Sequence, residues 1–100
     1  MRIEKITTDK KRFLELLLLG DEQEDMIDRY LERGDLFALF DPDLKSLCVV
    51  TDEGKGTCEL KNLATCARSQ GQGYATRLLE HVFRHYSGKY ETILAGTGEE

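Results

Sequence analysis

The sequence predicts an α+β fold of three-layer, α/β/α-like kind, built on a mixed but mostly antiparallel sheet. Three observations carry that prediction. Ala75, Leu78, Leu79, Val82, Phe83 and Tyr86 are spaced three, one, three, one, three apart, the stripe of an amphipathic helix. Ahead of it, the apolar-biased stretches Leu44–Thr51 and Thr57–Thr65 are separated only by Asp52-Glu53-Gly54-Lys55-Gly56. A polar link that short makes its strands antiparallel neighbours. Behind the stripe, Tyr90–Ala95 is again strand-like. A helix joining it to Thr57–Thr65 acts as a crossover, which makes those two strands parallel with a right-handed connection.

In chain order, Met1–Thr7 reads as a short strand anchored by Ile3 and Ile6. Thr8 or Asp9 is placed to cap a helix over about Lys10–Leu19, which Gly20 ends. Phe13, Leu14 and Leu16–Leu19 crowd that helix, so it packs on more than one side or covers a ligand slot or a partner. Asp21-Glu22-Gln23-Glu24 has the form of a capping box with Asp21 as N-cap. It opens a second helix with Met26, Ile27, Tyr30 and Leu31 on one face and Gly34 as its stop. Leu36–Phe40 is a short apolar run closed by a Pro42-Asp43 turn. Gly88 is placed to end the long helix, with Arg84, His85 and Lys89 against the negative end of its dipole. Gly96-Thr97-Gly98-Glu99-Glu100 reads as loop. The expected order is therefore β-α-α-β-β-β-α-β, with residues 1–100 as a single domain.

Composition narrows the function. A net charge of −5 and scattered basic residues, with no run longer than Lys10-Lys11-Arg12, argue against nucleic acid as a partner. Apolar runs such as Leu16–Leu19 are far too short to cross a membrane, and no signal peptide is visible. Cys48, Cys58 and Cys66 form no C-x-x-C pair and have no histidine at ligand spacing, so no metal site is expected. They read as reduced core or near-core thiols, which suggests a cytoplasmic setting.

The chemistry concentrates where Thr57–Thr65 runs through Cys66–Gly73 into the long helix. A strand, a glycine-containing turn and a helix N-terminus together form an anion-binding device: the first turn has free N–H groups and a favourable dipole, and glycine lets a phosphate approach the main chain. A Walker-type loop needs Lys-Ser/Thr after its glycines, but Tyr74-Ala75-Thr76 follows here, so an NTPase is disfavoured. A dinucleotide fold needs G-x-G-x-x-G and further βαβ units, and both are missing.

Gln70-Gly71-Gln72-Gly73-Tyr74-Ala75 closely resembles the acetyl-CoA signature of the GNAT-type N-acetyltransferase superfamily, Gln/Arg-x-x-Gly-x-Gly/Ala. Glu59–Thr65 resembles that family's fourth strand, and Thr76-Arg77-Leu78-Leu79 its third helix. The resemblance implies an acyl-CoA N-acyltransferase-like fold with acetyl-CoA as co-substrate. The reaction it implies is acetyl transfer to a primary amine of a small molecule or protein. Backbone N–H groups of Gln70, Gly71, Gln72, Gly73, Tyr74 and Ala75 would cradle the CoA pyrophosphate, and main-chain groups of Leu63, Ala64 and Thr65 would pair with the pantetheine arm. In the family a main-chain N–H near this position polarises the acetyl carbonyl.

Glu59 is the candidate catalytic base by this resemblance, with a solvated strand residue paired to a lysine as the other reading. Period two puts Glu59, Lys61, Leu63 and Thr65 on one face, provided no bulge intervenes. His81 and His85 fall outside the signature and read as surface residues. Tyr74 reads equally as shaping the phosphate loop or as packing. The Met26, Tyr30 and Leu31 stripe reads as core, although in the family the first two helices also flank the acceptor site.

The chain departs from the family in two places. Ala67-Arg68-Ser69 lacks a proline common before the signature. Family members also continue past the fifth strand with elements that usually supply a tyrosine as general acid, so no residue here is assigned that role. The expectation is a chain lacking the C-terminal part of the fold, or one completed by another chain. An exposed Tyr90–Ala95 edge would then favour a homo-oligomer. The competing function is a catalytically inactive CoA-binding or protein-interaction module of the same fold.

Overall fold

Leu36–Leu39 and Leu47–Val50 offer no charged side chain to solvent on either face, so strands built from them need cover on both sides. They have it in the computed structural model, which describes residues 1–95. The expected loop at Gly96–Glu100 lies outside those residues. Strand β1 (Arg2–Ile6) leads through a 3-10 turn (Lys10–Phe13) to helices α1 (Leu14–Gly20) and α2 (Glu24–Tyr30). Strands β2 (Asp35–Phe40), β3 (Leu44–Gly54) and β4 (Thr57–Thr65) follow, then a 3-10 turn (Ala67–Ser69), helix α3 (Tyr74–Tyr86) and strand β5 (Thr92–Ala95). The sheet order is β1-β2-β3-β4-β5. Every pair is antiparallel except β4 and β5, which run parallel as the crossover requires.

Two apolar clusters sandwich the sheet. On one face Leu17 of α1, Ile27 of α2 and Leu31, which follows α2, meet Leu36, Ala38, Leu47 and Val49. On the other, Leu78, Val82 and Tyr86 of α3 meet Phe37, Leu39, Cys48 and Val50. The odd–even alternation of β2 and β3 sorts their side chains between the two layers. Each of these fully buried Leu or Val side chains contributes about 1.5–3 kcal/mol to the burial term.

Several expected details differ. The segment after Asp9 starts as a 3-10 turn, and neither Thr8 nor Asp9 makes a side-chain cap; the first bond is Arg12 N–H to Asp9 C=O at 3.2 Å. Gly20 is the last helical residue of α1, not a residue beyond it, and its need for glycine is steric. A Cβ there would fall 2.1 Å from Asn62 Oδ1. The capping box does not form. Gln23 occupies the N-cap of α2, while Asp21 Oδ1 accepts the Gln23 N–H at 3.3 Å and Asp21 Oδ2 accepts the Tyr30 hydroxyl at 3.3 Å.

The C-terminal end of α2 is held by a residue from elsewhere in the chain. Lys10, buried, donates from Nζ to the carbonyls of Leu31, Glu32 and Gly34 at 3.1, 3.1 and 2.6 Å, placing a cation at the negative end of the dipole. Met26 and Phe83 face solvent at the edges of their helical stripes. Strand β3 continues to Gly54, leaving the two-residue turn Lys55-Gly56, whose φ values of 55° and 78° fit a primed hairpin turn. Strand β5 begins at Thr92 rather than Tyr90, after Glu91 and Thr92 both bond Gly56 C=O.

Candidate functional site

Strand β4 is where the sheet stops being regular. Val49 pairs with Asn62 and Val50 with Leu60, so Lys61 is an extra residue, a β-bulge that reverses the side chains beyond it. Before the bulge, Cys58 and Leu60 point into the α3 cluster. After it, Ala64 joins the α1–α2 cluster, Asn62 bonds residues of those helices, and Leu63 packs on the α3 side. The proviso attached to the expected face therefore fails. Glu59, opposite Thr51 in the register, shares the α1–α2 face with Asn62 and Ala64, not with Leu63 and Thr65. Its Oε1 lies 2.9 Å from Lys61 Nζ, the lysine pairing of the alternative reading.

The bulge also marks where β5 stops. Strand β5 pairs with Thr57–Leu60 only. Beyond Leu60, residues 61–65 have no strand on that edge among the described residues, which leaves a free edge leading towards α3. One acceptor along it is already engaged: Gln70 Nε2 donates to Thr65 C=O at 3.2 Å. Ala64 C=O, on the β3 side, accepts from Ser46 Oγ at 2.9 Å. A partner pairing at Thr65 C=O must displace the Gln70 side chain.

The edge runs into the N-terminus of α3. Gly71 and Gly73 have φ of +80° and +86°, a conformation only glycine adopts without strain, and Gly73 is the N-cap. The first main-chain bond at this end of the helix is Arg77 N–H to Gly73 C=O at 3.0 Å, which leaves the preceding N–H groups unclaimed by the helix. No acidic residue stands in the first turn. Gln72 Nε2 turns back to Arg68 C=O at 3.3 Å. Tyr74 serves packing and anchoring at once: it lies against the α3 cluster and donates to Asp41 Oδ2 at 2.9 Å. That bond holds the phenol above its ordinary pKa. Exposed Arg68 and Arg77 flank the turn and went unassigned in the sequence, although both lie within four residues of the signature glycines.

Next to the strand exit, the 3-10 turn before α1, α1 itself, Leu44 of β3 and the chain leaving β4 line an open pocket of about 330 Å3. Phe13, Leu16, Leu44 and Cys66 form its apolar part, with Arg12 and Glu15 beside them. Cys66 donates Sγ–H to Leu44 C=O at 3.3 Å, while Cys48 and Cys58 are fully buried. Burial pushes the Cys48 thiol up to about 12. His81 and His85 set their rings edge-on to Phe37 at 6.2 and 5.3 Å, away from the free edge of β4. Among the described residues no three His, Cys, Asp or Glu side chains are grouped to hold a metal ion. No helix there is long and apolar enough to cross a membrane.

No family model matches the chain. Among known proteins it is 31% identical over 100 residues to the uncharacterized N-acetyltransferase YvbK of Bacillus subtilis strain 168, covering 98% of this chain and 64% of that protein. Among solved structures it superposes on a GNAT family acetyltransferase from Elizabethkingia anophelis with acetyl-CoA bound. That match has a TM-score of 0.88 and 30% identity over 98% of this chain and 65% of that one. The chain is thus similar in sequence and fold to GNAT acetyltransferases. A Bacillus subtilis acetyltransferase in complex with CoA gives a TM-score of 0.84 and 30% identity, over 98% of this chain and 66% of its counterpart. The chain spans 64% to 66% of the length of these three relatives.

Proposed function

We propose that this chain binds acetyl-CoA along the free edge of β4 and at the N-terminus of α3, and moves the acetyl group to a primary amine of a small molecule or protein. The observation that carries the reading is the strand edge, unpaired from Lys61 to Thr65 among the described residues, running directly into a glycine-formed helix N-terminus. An extended pantetheine arm suits the first, through the main chain of Leu63, Ala64 and Thr65. A pyrophosphate suits the second, through the N–H groups of Gln70–Ala75, with Arg68 and Arg77 adding positive charge. The relatives named for bound acetyl-CoA and CoA support the same assignment.

In the proposed reaction the amine nitrogen forms a bond to the acetyl carbon and the carbon–sulfur bond breaks. The amine's proton goes to Glu59, directly or through water, and the CoA thiolate leaves. Calorimetric titration with acetyl-CoA tests the first half: saturable one-site binding is expected, and its absence rejects the reading. Thiol release with a panel of primary amines tests the second half. Glu59→Gln should lower kcat by about 100-fold at unchanged KM for acetyl-CoA; an unaltered kcat removes Glu59 from the reaction.

A second reading, a catalytically inactive CoA-binding or interaction module, is favoured by the Glu59–Lys61 pairing. Binding without thiol release from any amine would select it. Among the described residues strand β5 is an edge of the sheet, with Ile93 and Leu94 exposed, so a homo-oligomer formed there belongs to the same proposal. Light scattering that finds only monomer at all concentrations would remove it.

A further inference from the structure

Immediately after the bulge, β4 carries a polar side chain that is wholly buried. Asn62 has no exposed surface, and its Nδ2 donates to Leu17 C=O and to the Tyr30 hydroxyl oxygen, each at 3.0 Å. Tyr30 in turn donates to Asp21 Oδ2 at 3.3 Å, and Asp21 Oδ1 accepts the Gln23 N–H at 3.3 Å. One amide of the strand thus holds α1 near its end, the residue that follows it, and α2. Contact is close as well as polar. A Cβ on Gly20 would lie 2.1 Å from Asn62 Oδ1 and 3.1 Å from Leu63 C=O, so the end of α1 is pressed onto the strand. Asn62 Oδ1 receives no hydrogen bond. With both N–H groups committed to the two helices, the carbonyl is left facing the Gly20 backbone, an arrangement folding alone does not favour.

We propose that Asn62 is a positioning residue that couples the free edge of β4 to the α1–α2 junction, so that a donor bound along the edge stiffens the junction. The inference rests on the proposed acetyl-CoA reading and extends it. A ligand pairing with the main chain of Leu63 and Thr65 fixes the pleat of β4, and the pleat sets where the Asn62 amide points. Because the amide holds Leu17 and Tyr30, restricting it restricts residues 18–31, which lie over the same sheet face as Glu59. Ordering by the donor would thereby preorganise one wall of the place where an acceptor must sit, a coupling that needs no large movement.

Hydrogen exchange on the full chain, with and without saturating acetyl-CoA, tests the coupling. In the wild type, exchange should slow by about fivefold or more both at 63–77 and at 18–31. Asn62→Leu should keep the protection at 63–77, lose it at 18–31, and leave the acetyl-CoA Kd within about threefold. Tyr30→Phe, which removes a single oxygen, should show the same separation and decides the matter if the leucine variant does not fold. Protection confined to 63–77 in the wild type, or retained at 18–31 in both variants, overturns the proposal. Absence of acetyl-CoA binding in calorimetry would reject the functional reading itself and the inference with it, and that outcome is distinct from binding without coupling. With any amine that is turned over, Asn62→Leu should raise the KM for the amine while that for acetyl-CoA holds.

Discussion

The two halves of β4 share a backbone and differ in almost everything else. Thr57–Leu60 has β3 on one side and β5 on the other, and drives Cys58 and Leu60 into the α3 cluster. Lys61–Thr65 keeps β3 but has no second strand among the described residues, and it turns Asn62 and Ala64 towards α1 and α2. One inserted residue separates the halves. The difference shows how a sheet can hold a binding edge in its middle: the bulge reverses the faces, the parallel neighbour ends at the same point, and Thr57–Leu60, hydrogen-bonded to a strand on each edge, anchors Lys61–Thr65, which is hydrogen-bonded on one.

If the halves are separable, damage to each should appear in a different measurement. The largest expected effect is on stability, from Leu60→Ala. Leu60 is buried between sheet and α3, so the truncation should cost about 2–5 kcal/mol in urea unfolding. The acetyl-CoA Kd of the folded fraction should stay within about twofold. A binding loss as large as the stability loss would show that the two halves act as one unit.

Gly73→Ala should shift the balance the other way. A Cβ at Gly73 meets nothing within 4 Å, so the substitution creates no clash in the free chain. At φ +86° an L-residue costs about 1–2 kcal/mol, and relief of that strain opens the N-terminal turn of α3. The expected result is a stability loss of that size together with an acetyl-CoA Kd raised by about tenfold. Unchanged affinity in the titration would separate the turn from the binding site.

Much of this contrast was legible in the sequence. The stripe from Ala75 to Tyr86, the strand Thr57–Thr65 and the parallel step to the last strand follow from periodicity and link length, which depend on local residues. The signature Gln70–Ala75 is contiguous and was equally readable. What escaped depends on contacts between distant residues. Nothing near Lys61 marks a bulge, because the extra residue exists only relative to the register with Val49 and Val50. Asn62 reads as a polar residue in an apolar strand until Leu17 and Tyr30 are brought beside it. Gly20 looks like a helix stop, since glycine is common there for conformational reasons, whereas its cause is an amide lying across the chain. Asp21 and Glu24 match a capping box, yet the Tyr30 hydroxyl and the Gln23 N–H claim the Asp21 carboxylate.

The smallest expected effect compares the two faces of the sheet through their buried tyrosines. Burial is the main cause that pushes the Tyr30 phenol from 10.0 up to about 12. On the opposite face, burial and the Asp35 carboxylate raise Tyr86 as well. A folded-state pKa above the unfolded value means the unfolded chain gives up its proton first. The stability Tyr30 contributes is therefore complete below about pH 10 and is lost as pH rises through about 12. Tyr30→Phe removes that titration and leaves the one from Tyr86. At neutral pH the variant should be less stable by about 1 kcal/mol for the lost hydrogen bonds. Urea unfolding at rising pH should show this gap narrowing between about pH 10 and 12. A gap that stays constant across that range would mean the Tyr30 hydroxyl is not sealed between Asn62 and Asp21, and the tie from β4 to α2 would lose its middle link.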